Sequence, residues 1–247
     1  AIILGLANRW SIAAGIAQSF KREGAELIVT YQSDRQLKAV EDLATELGVA
    51  RLIRCDVTKE DEVNSLVETL KADGKPISTL VHSIAFANRE DLNQPFLNTS
   101  RDGFLLAHDV SVYSLVSMSR AIVPLMTDGG TILTLSYLGA VRAVQNYNVM
   151  GVAKAALEST VRYLANELGE KNIRVNAISA GPIKTASARA VGDLSKMIDH
   201  VASRAPLRRN TNQDEVGDTA ALLASNLARG ITGNVVYVDG GYQIIGL

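Results

Sequence analysis

Residues 1–31 read AIILGLANRWSIAAGIAQSFKREGAELIVTY. Ala1 to Leu4 is an unbroken apolar run, and Glu26 to Tyr31 ends on a second one. Short apolar runs bounded by glycine mark strands covered on both faces. Between them, Ser11 opens a stretch with helical apolar spacing that runs to about Glu23. Gly24 follows, where a helix C-terminus favours glycine. Strand, helix, strand is a βαβ unit, which implies parallel strands and a right-handed crossover. Residue 1 already lies inside a strand, so the numbering is read as starting after a few residues of a longer chain.

The same grammar continues outward. Arg35 to Leu47 is an amphipathic helix ended by Gly48, and Arg51 to Arg54 is a strand leading into Asp56-Val57. Thr58 and Asp61 are read as a capping box for a helix that ends near Asp73. Thr79 to Ser83 is the fourth strand. A polar loop over 85–100 precedes a long helix over 101–126, for which Thr99 and Asp102 are read as the capping box. Thr131 to Ser136 and Arg174 to Ser179 are strands, with a helix to about Leu168 between them. Ala180-Gly181-Pro182 stops the sixth strand. A short helix around Asp193 to Ala202, a helix over Gln213 to Ala224 and a strand over Val235 to Val238 complete the chain. Alternation throughout predicts an α/β fold: one Rossmann-type domain, residues 1–247, with a doubly wound parallel sheet and helices on both faces.

Composition narrows the class. A hydrophobic fraction of 47% suits a sheet covered on both sides. Net charge is −1 with no basic stripe, which argues against nucleic acid as a partner. The single cysteine, Cys55, excludes a disulfide framework and points to a reducing, cytoplasmic setting. His82, His108 and His200 lack metal-ligand spacing, so no metal is expected. No apolar run reaches membrane-spanning length, so membrane insertion is not expected.

Chemistry concentrates in 136–154, SYLGAVRAVQNYNVMGVAK. Tyr147 and Lys154 are seven residues apart, about two helical turns, so they leave one face. A nearby ammonium favours phenolate and makes a phenol a better acid. Tyr137, at the mouth of the fifth strand, is placed to reach the same cleft. Two phenols and a lysine suit a reaction that builds negative charge on oxygen. A solvated helix face explains a Tyr and a Lys at this spacing as well, and only the context favours a site. In an open parallel sheet, ligands bind beyond the carboxyl ends of the strands. There, Gly5, Ser11 and Gly15 surround the first βα turn, where glycine lets backbone approach a pyrophosphate at a helix N-terminus. Asp56 is placed for an adenine amino group, or else is a helix-entry residue. Ser83-Ile84-Ala85 is small where backbone must pass a ribose or nicotinamide. Gln32 stands where an acid often holds a ribose hydroxyl, while Arg35 or Lys38 offers a 2′-phosphate a charge.

These stretches resemble the short-chain dehydrogenase/reductase superfamily. Within it they resemble the bacterial enoyl-[acyl-carrier-protein] reductases of type II fatty acid synthesis. The resemblance is carried by Gly5…Ser11-Ile12-Ala13, Cys55-Asp56-Val57, Val81 to Ala87, Leu135 to Gly139, Asn146 to Gly151, Arg174 to Ile183 and Val238 to Gly241, over essentially the whole chain. Ordinary members place tyrosine four before the lysine; here that position is Met150, and the phenol lies three earlier. The resemblance implies hydride transfer to a trans-2-enoyl thioester carried by acyl carrier protein. NADH is the expected cofactor and NADPH the alternative. Tyr147 and Lys154 would be catalytic, with Tyr137 orienting substrate or supplying the proton. Around the dinucleotide it implies Gly5, Ser11, Ile12, Gln32, Asp56, Val57, Ser83, Ile84, Ala85, Lys154, Ile183 and Thr185. Along the acyl chain it implies Ala87, Leu92, Tyr137, Met150 and Leu194, with Phe86, Ala186 and Val191 as further apolar candidates. Residues 186–200 are read as a lid. Lys184, Arg189 and Lys196 nearby would meet the acidic carrier, or are a solvated basic face. A homotetramer is implied, its helices offering Ser114, Ser117, Ala121, Ala153 and Ala156. A carbonyl reductase of the same superfamily, and a non-catalytic nucleotide-binding regulator, are the alternatives.

Overall fold

The computed structural model describes residues 1–185, 188 and 191–246. Seven parallel strands form one sheet in the order β3-β2-β1-β4-β5-β6-β7. They are β1 (Ile2–Leu4), β2 (Ile28–Tyr31), β3 (Arg51–Arg54), β4 (Thr79–His82), β5 (Gly130–Ser136), β6 (Ile173–Ala180) and β7 (Val235–Val238). The helices are α1 (Ile12–Arg22), α2 (Asp34–Leu47), α3 (Glu60–Asp73), α4 (Arg89–Asn93), α5 (Arg101–His108), α6 (Ser114–Ile122), α7 (Asn148–Leu168), α8 (Leu194–Arg204) and α9 (Gln213–Ala224). Strand order reverses between β1 and β4, which opens a crevice at their carboxyl ends.

The strands are apolar throughout because both faces are covered. Side chains alternate between two cores: Ile2 and Leu4 pack with Leu66, Leu115 and Leu157 on one face. Ile3 packs with Ile16, Val40 and Val216 on the other. The edge strand β3 carries Arg51 and Arg54 at its ends, both exposed, and charge there blocks further strand addition.

Four local readings need correction. The N-cap of α5 is Ser100, not Thr99: Ser100 Oγ accepts from the Gly103 amide at 2.9 Å, while the Thr99 hydroxyl donates back to the Phe96 carbonyl. The Thr58–Asp61 box does not form. Thr58 Oγ1 donates to Asp56 at 2.8 Å, and Glu62 is the acid that reaches back, to the Asp56 amide at 2.8 Å. The polar loop holds α4 and a 3₁₀ turn, and buried Asp91 ties it together by accepting from the Ser100 amide at 3.0 Å. The helix over 101–126 takes in one π turn, Asp109–Tyr113, between α5 and α6. The expected cost of Ser100→Ala is about 1–2 kcal/mol in urea unfolding, and of Thr99→Ala well under half that, because only Ser100 satisfies a helix amide.

Candidate active site

One cavity of about 430 Å³ lies at the carboxyl ends of β1, β4, β5 and β6. Gly5 and Ser11 floor it from the first βα turn. Gly5 has φ +86°, and a Cβ there would strike the Ser83 carbonyl oxygen, so only glycine lets the ends of β1 and β4 abut. Ser11 caps α1, its Oγ accepting from the Ala14 amide at 3.2 Å. No acid sits in the first turn of α1, so the helix presents its positive end.

Tyr147 stands at the N-cap of α7 between two strained neighbours, Asn146 with φ 60° and Asn148 with φ 27°. Asn148 Nδ2 donates to the Gln94 carbonyl at 2.6 Å and anchors this bend. The Tyr147 ring meets Tyr137 edge-on, with centroids 4.8 Å apart. Its hydroxyl has no hydrogen-bond partner among the described residues. Burial pushes the Tyr147 phenol well above its ordinary pKa, and Tyr137 adds to the shift. The expected acidification by Lys154 is therefore absent: the phenol holds its proton. The Tyr137 phenol is pushed up to about 12, by burial and then by Tyr242. Its hydroxyl donates to Met197 Sδ of α8 at 3.0 Å.

Lys154 is 5% exposed and donates to the Leu135 carbonyl at 2.6 Å. Burial brings its amine down to about 8, and Glu158 acts in the opposite sense. His82 lies behind it, wholly buried. Its Nδ1 faces Thr134 at 3.0 Å and its Nε2 faces Ser114 at 2.8 Å. Burial, helped by the Lys154 charge, lowers its pKa to about 3, so the imidazole is neutral. In the π turn, Ser111 accepts from the Phe86 amide at 3.0 Å and so sets the loop after β4.

Most of the sequence candidates meet here. Gly5, Ser11, Ile12, Ser83, Ile84, Ala85, Ile183 and Thr185 line the cavity, as do Tyr137, Tyr147 and Lys154. So do the apolar candidates Phe86, Ala87, Leu92, Met150, Val191 and Leu194. Ala186 and Arg189 lie outside the described residues. Three candidates stand apart from the cavity. Gln32 donates to Asp56 at 3.3 Å beyond β2 and β3, and Val57 packs against a core. Burial pushes the Asp56 carboxyl up, but hydrogen bonds from Thr58 and Gln32 and the Lys59 charge leave it lowered overall. Gly15 does not face the cavity either; a Cβ on it would strike the Gln213 carbonyl of α9. Met197 was missed, although it lies three residues past Leu194 on one helix face. Of the residues offered for an interface, Ser114 and Ala153 are buried within the chain's own core. Among the described residues, no cluster of acidic, His or Cys side chains fits a metal ion, and no helix is long and apolar enough to cross a membrane.

A helix N-terminus without acids, a flat glycine floor and a buried ammonium are the donors that a dinucleotide's phosphates and ribose need, so these residues fit such a group. The neutral phenols and apolar wall fit an uncharged acyl group whose oxygen takes up charge.

Comparison with known proteins identifies the family. A family model described as Enoyl-(Acyl carrier protein) reductase matches residues 5–243. The chain is 53% identical to the enoyl-[acyl-carrier-protein] reductase [NADH] of Bacillus cereus, over 99% of this chain and 96% of that protein. It is 49% identical to the corresponding [NADPH] enzyme of Staphylococcus aureus, over 99% of this chain and 96% of that protein. The crystal structure of the Bacillus cereus reductase with NADP+ and an indole naphthyridinone superimposes with a TM-score of 0.97. It is 53% identical and covers 100% of this chain and 96% of that one. A family model over nearly the whole chain and relatives about half identical along nearly their full length place this chain in the enoyl-[acyl-carrier-protein] reductase family.

Proposed function

We propose that this protein reduces the carbon–carbon double bond of a trans-2-enoyl group carried on acyl carrier protein, using NADH, to give the saturated acyl thioester. The observation that carries the reading is the half-buried Tyr147 hydroxyl, without a partner among the described residues, in a cavity shared with Lys154. Reduced nicotinamide, when bound, would supply the hydride to the β-carbon, and the enolate would take its balancing proton at the α-carbon from solvent. Tyr147 donates a hydrogen bond to the thioester oxygen as it gains enolate charge. Its raised pKa suits that task, since a phenolate would repel the developing anion. Lys154 holds the ribose next to the nicotinamide, with Ser83, Ile84 and Ala85 giving close backbone. Gly5, Ser11 and Ile12 face the pyrophosphate, and Ile183 and Thr185 the carboxamide and phosphates. Gln32, Asp56 and Val57 belong to the adenosine end, outside the cavity proper. Ala87, Leu92, Met150 and Leu194 line the acyl path, and Tyr137 orients the thioester.

Met150 lines the cavity where a carbonyl reductase of the superfamily would have its tyrosine, which weighs against that alternative. Segment 186–200, with α8 in its second half, is proposed as a lid whose Met197 and Leu194 close on substrate. A homotetramer is proposed too, resting on exposed Leu105, Tyr113 and Tyr163 along α5, the π turn and α7. Light scattering is expected to give four times the chain mass of 26.4 kDa.

The test follows reduced-cofactor absorbance with a trans-2-enoyl thioester, NADH and NADPH in parallel. Oxidation that favours NADH supports the whole reading; binding without oxidation of either leaves a nucleotide-binding regulator instead. A related prediction concerns Gly139, where a Cβ would come within 2.5 Å of the Tyr147 ring. Gly139→Ala is expected to swing the phenol aside and to lower kcat at least ~10-fold with the fold intact by circular dichroism.

A further inference from the structure

Glu158 lies four residues beyond Lys154 on α7, on the same helix face. It is 6% exposed, and a carboxylate at that depth is costly unless something offsets it. Its hydrogen bond comes from Ser136, whose Oγ donates to Oε1 at 2.5 Å. That partner is neutral. Lys154 is also held by a neutral partner, the Leu135 carbonyl. Consecutive residues at the end of β5 thus hold two buried opposite charges, one helical turn apart.

We propose that Glu158, fixed by Ser136, is a positioning residue that keeps the Lys154 amine protonated at the cavity wall. The groups around the pair leave it this role. On β4, His82 lies within reach of the Lys154 charge and is neutral, so it adds no charge. In the cavity, Tyr147 and Tyr137 beside Lys154 are neutral phenols. On β7, the Tyr237 phenol is raised, by burial and then by the charges of Glu158 and Asp239, with Arg142 opposing. Burial drives the Lys154 proton off, and the Glu158 carboxylate holds it on.

The sign follows directly. With the carboxylate removed, burial acts unopposed and Lys154 loses its proton at lower pH. The proposal rests on the reductase reading of Lys154, but its first readout needs neither cofactor nor turnover. Acetic anhydride labels only the neutral amine, so Lys154 acetylation followed by mass spectrometry across neutral to alkaline pH gives its midpoint in the free protein. Glu158→Gln keeps size and the Ser136 hydrogen bond but removes the charge. It is expected to lower the midpoint by about one pH unit, a tenfold weaker hold on the proton. The alkaline limb of NADH binding, read by fluorescence, is expected to move down with it, while Glu158→Asp restores most of the shift. Ser136→Ala, which frees the carboxylate to turn away, moves the midpoint in the same direction by less. A midpoint unchanged in Glu158→Gln overturns the proposal, whatever the change in melting temperature. If that variant does not fold, an unchanged midpoint in Ser136→Ala overturns it. Failure of the reductase reading looks different: wild-type protein would not oxidise cofactor, and the labelling shift would remain.

Discussion

Tyr147→Phe is expected to lower kcat by about 10²–10³-fold while leaving the melting temperature within a degree or so of wild type. On the proposed mechanism, the loss is that of one donor aimed at a developing oxyanion. Stability is spared because the hydroxyl bonds to none of the described residues, and the phenyl ring keeps its edge-on contact with Tyr137 at 4.8 Å. KM is expected to change little, since the hydrogen bond strengthens as the enolate forms. Steady-state assays with an enoyl thioester and a thermal melt of the same samples check both halves. A variant that keeps most of its rate would move the donor role to Tyr137, whose hydroxyl would first have to leave Met197.

The second large effect is on stability. Gly15→Val is expected to cost about 3 kcal/mol, the upper part of the usual range for overpacking. Helices α1 and α9 touch backbone to backbone: a Cβ on Gly15 would strike the Gln213 carbonyl, and one on Gly217 would strike the Gly15 carbonyl and meet Ser19 Oγ at 2.6 Å. Backbone cannot yield as a flexible side-chain end can. Urea unfolding should show a lower midpoint with an unchanged slope. Full stability in this variant would mean that the two helices stand further apart in solution.

How much of this was legible depended on the distance over which each signal acts. Strands announced themselves because two-sided burial writes apolar residues at consecutive positions, as in Ile2, Ile3 and Leu4. Tyr147 and Lys154 were legible because one helix fixes their spacing. Gly15 was misread as part of a phosphate turn, since sequence shows that a side chain is missing but not what presses on the gap. Thr99 and Ser100 are adjacent hydroxyls, and only the turn at Phe96–Asn98 decides which one reaches the helix amides. The acidity of Tyr147 went wrong for a related reason. Spacing brings Lys154 near, but the strand carbonyl of Leu135, far along the chain, takes the ammonium's hydrogen bond and burial governs the phenol. Gln32 and Asp56 lie in separate stretches and are bonded to each other, a pairing across β2 and β3 that neither local stretch contains.

The π turn at Asp109–Tyr113 has a mechanical consequence. One added residue turns everything after it by about 100° relative to an uninterrupted helix. Two hydroxyls three residues apart are thereby aimed at different targets, Ser111 at the Phe86 backbone and Ser114 at His82 of β4. The helix acts as a clamp with two jaws, one on the strand and one on the loop that leaves it. The placement of the cavity wall at Phe86 and Ala87 is then a property of how a neighbouring helix is wound. A deletion of one residue in that winding would unscrew the wall while leaving every residue that lines the cavity in the sequence.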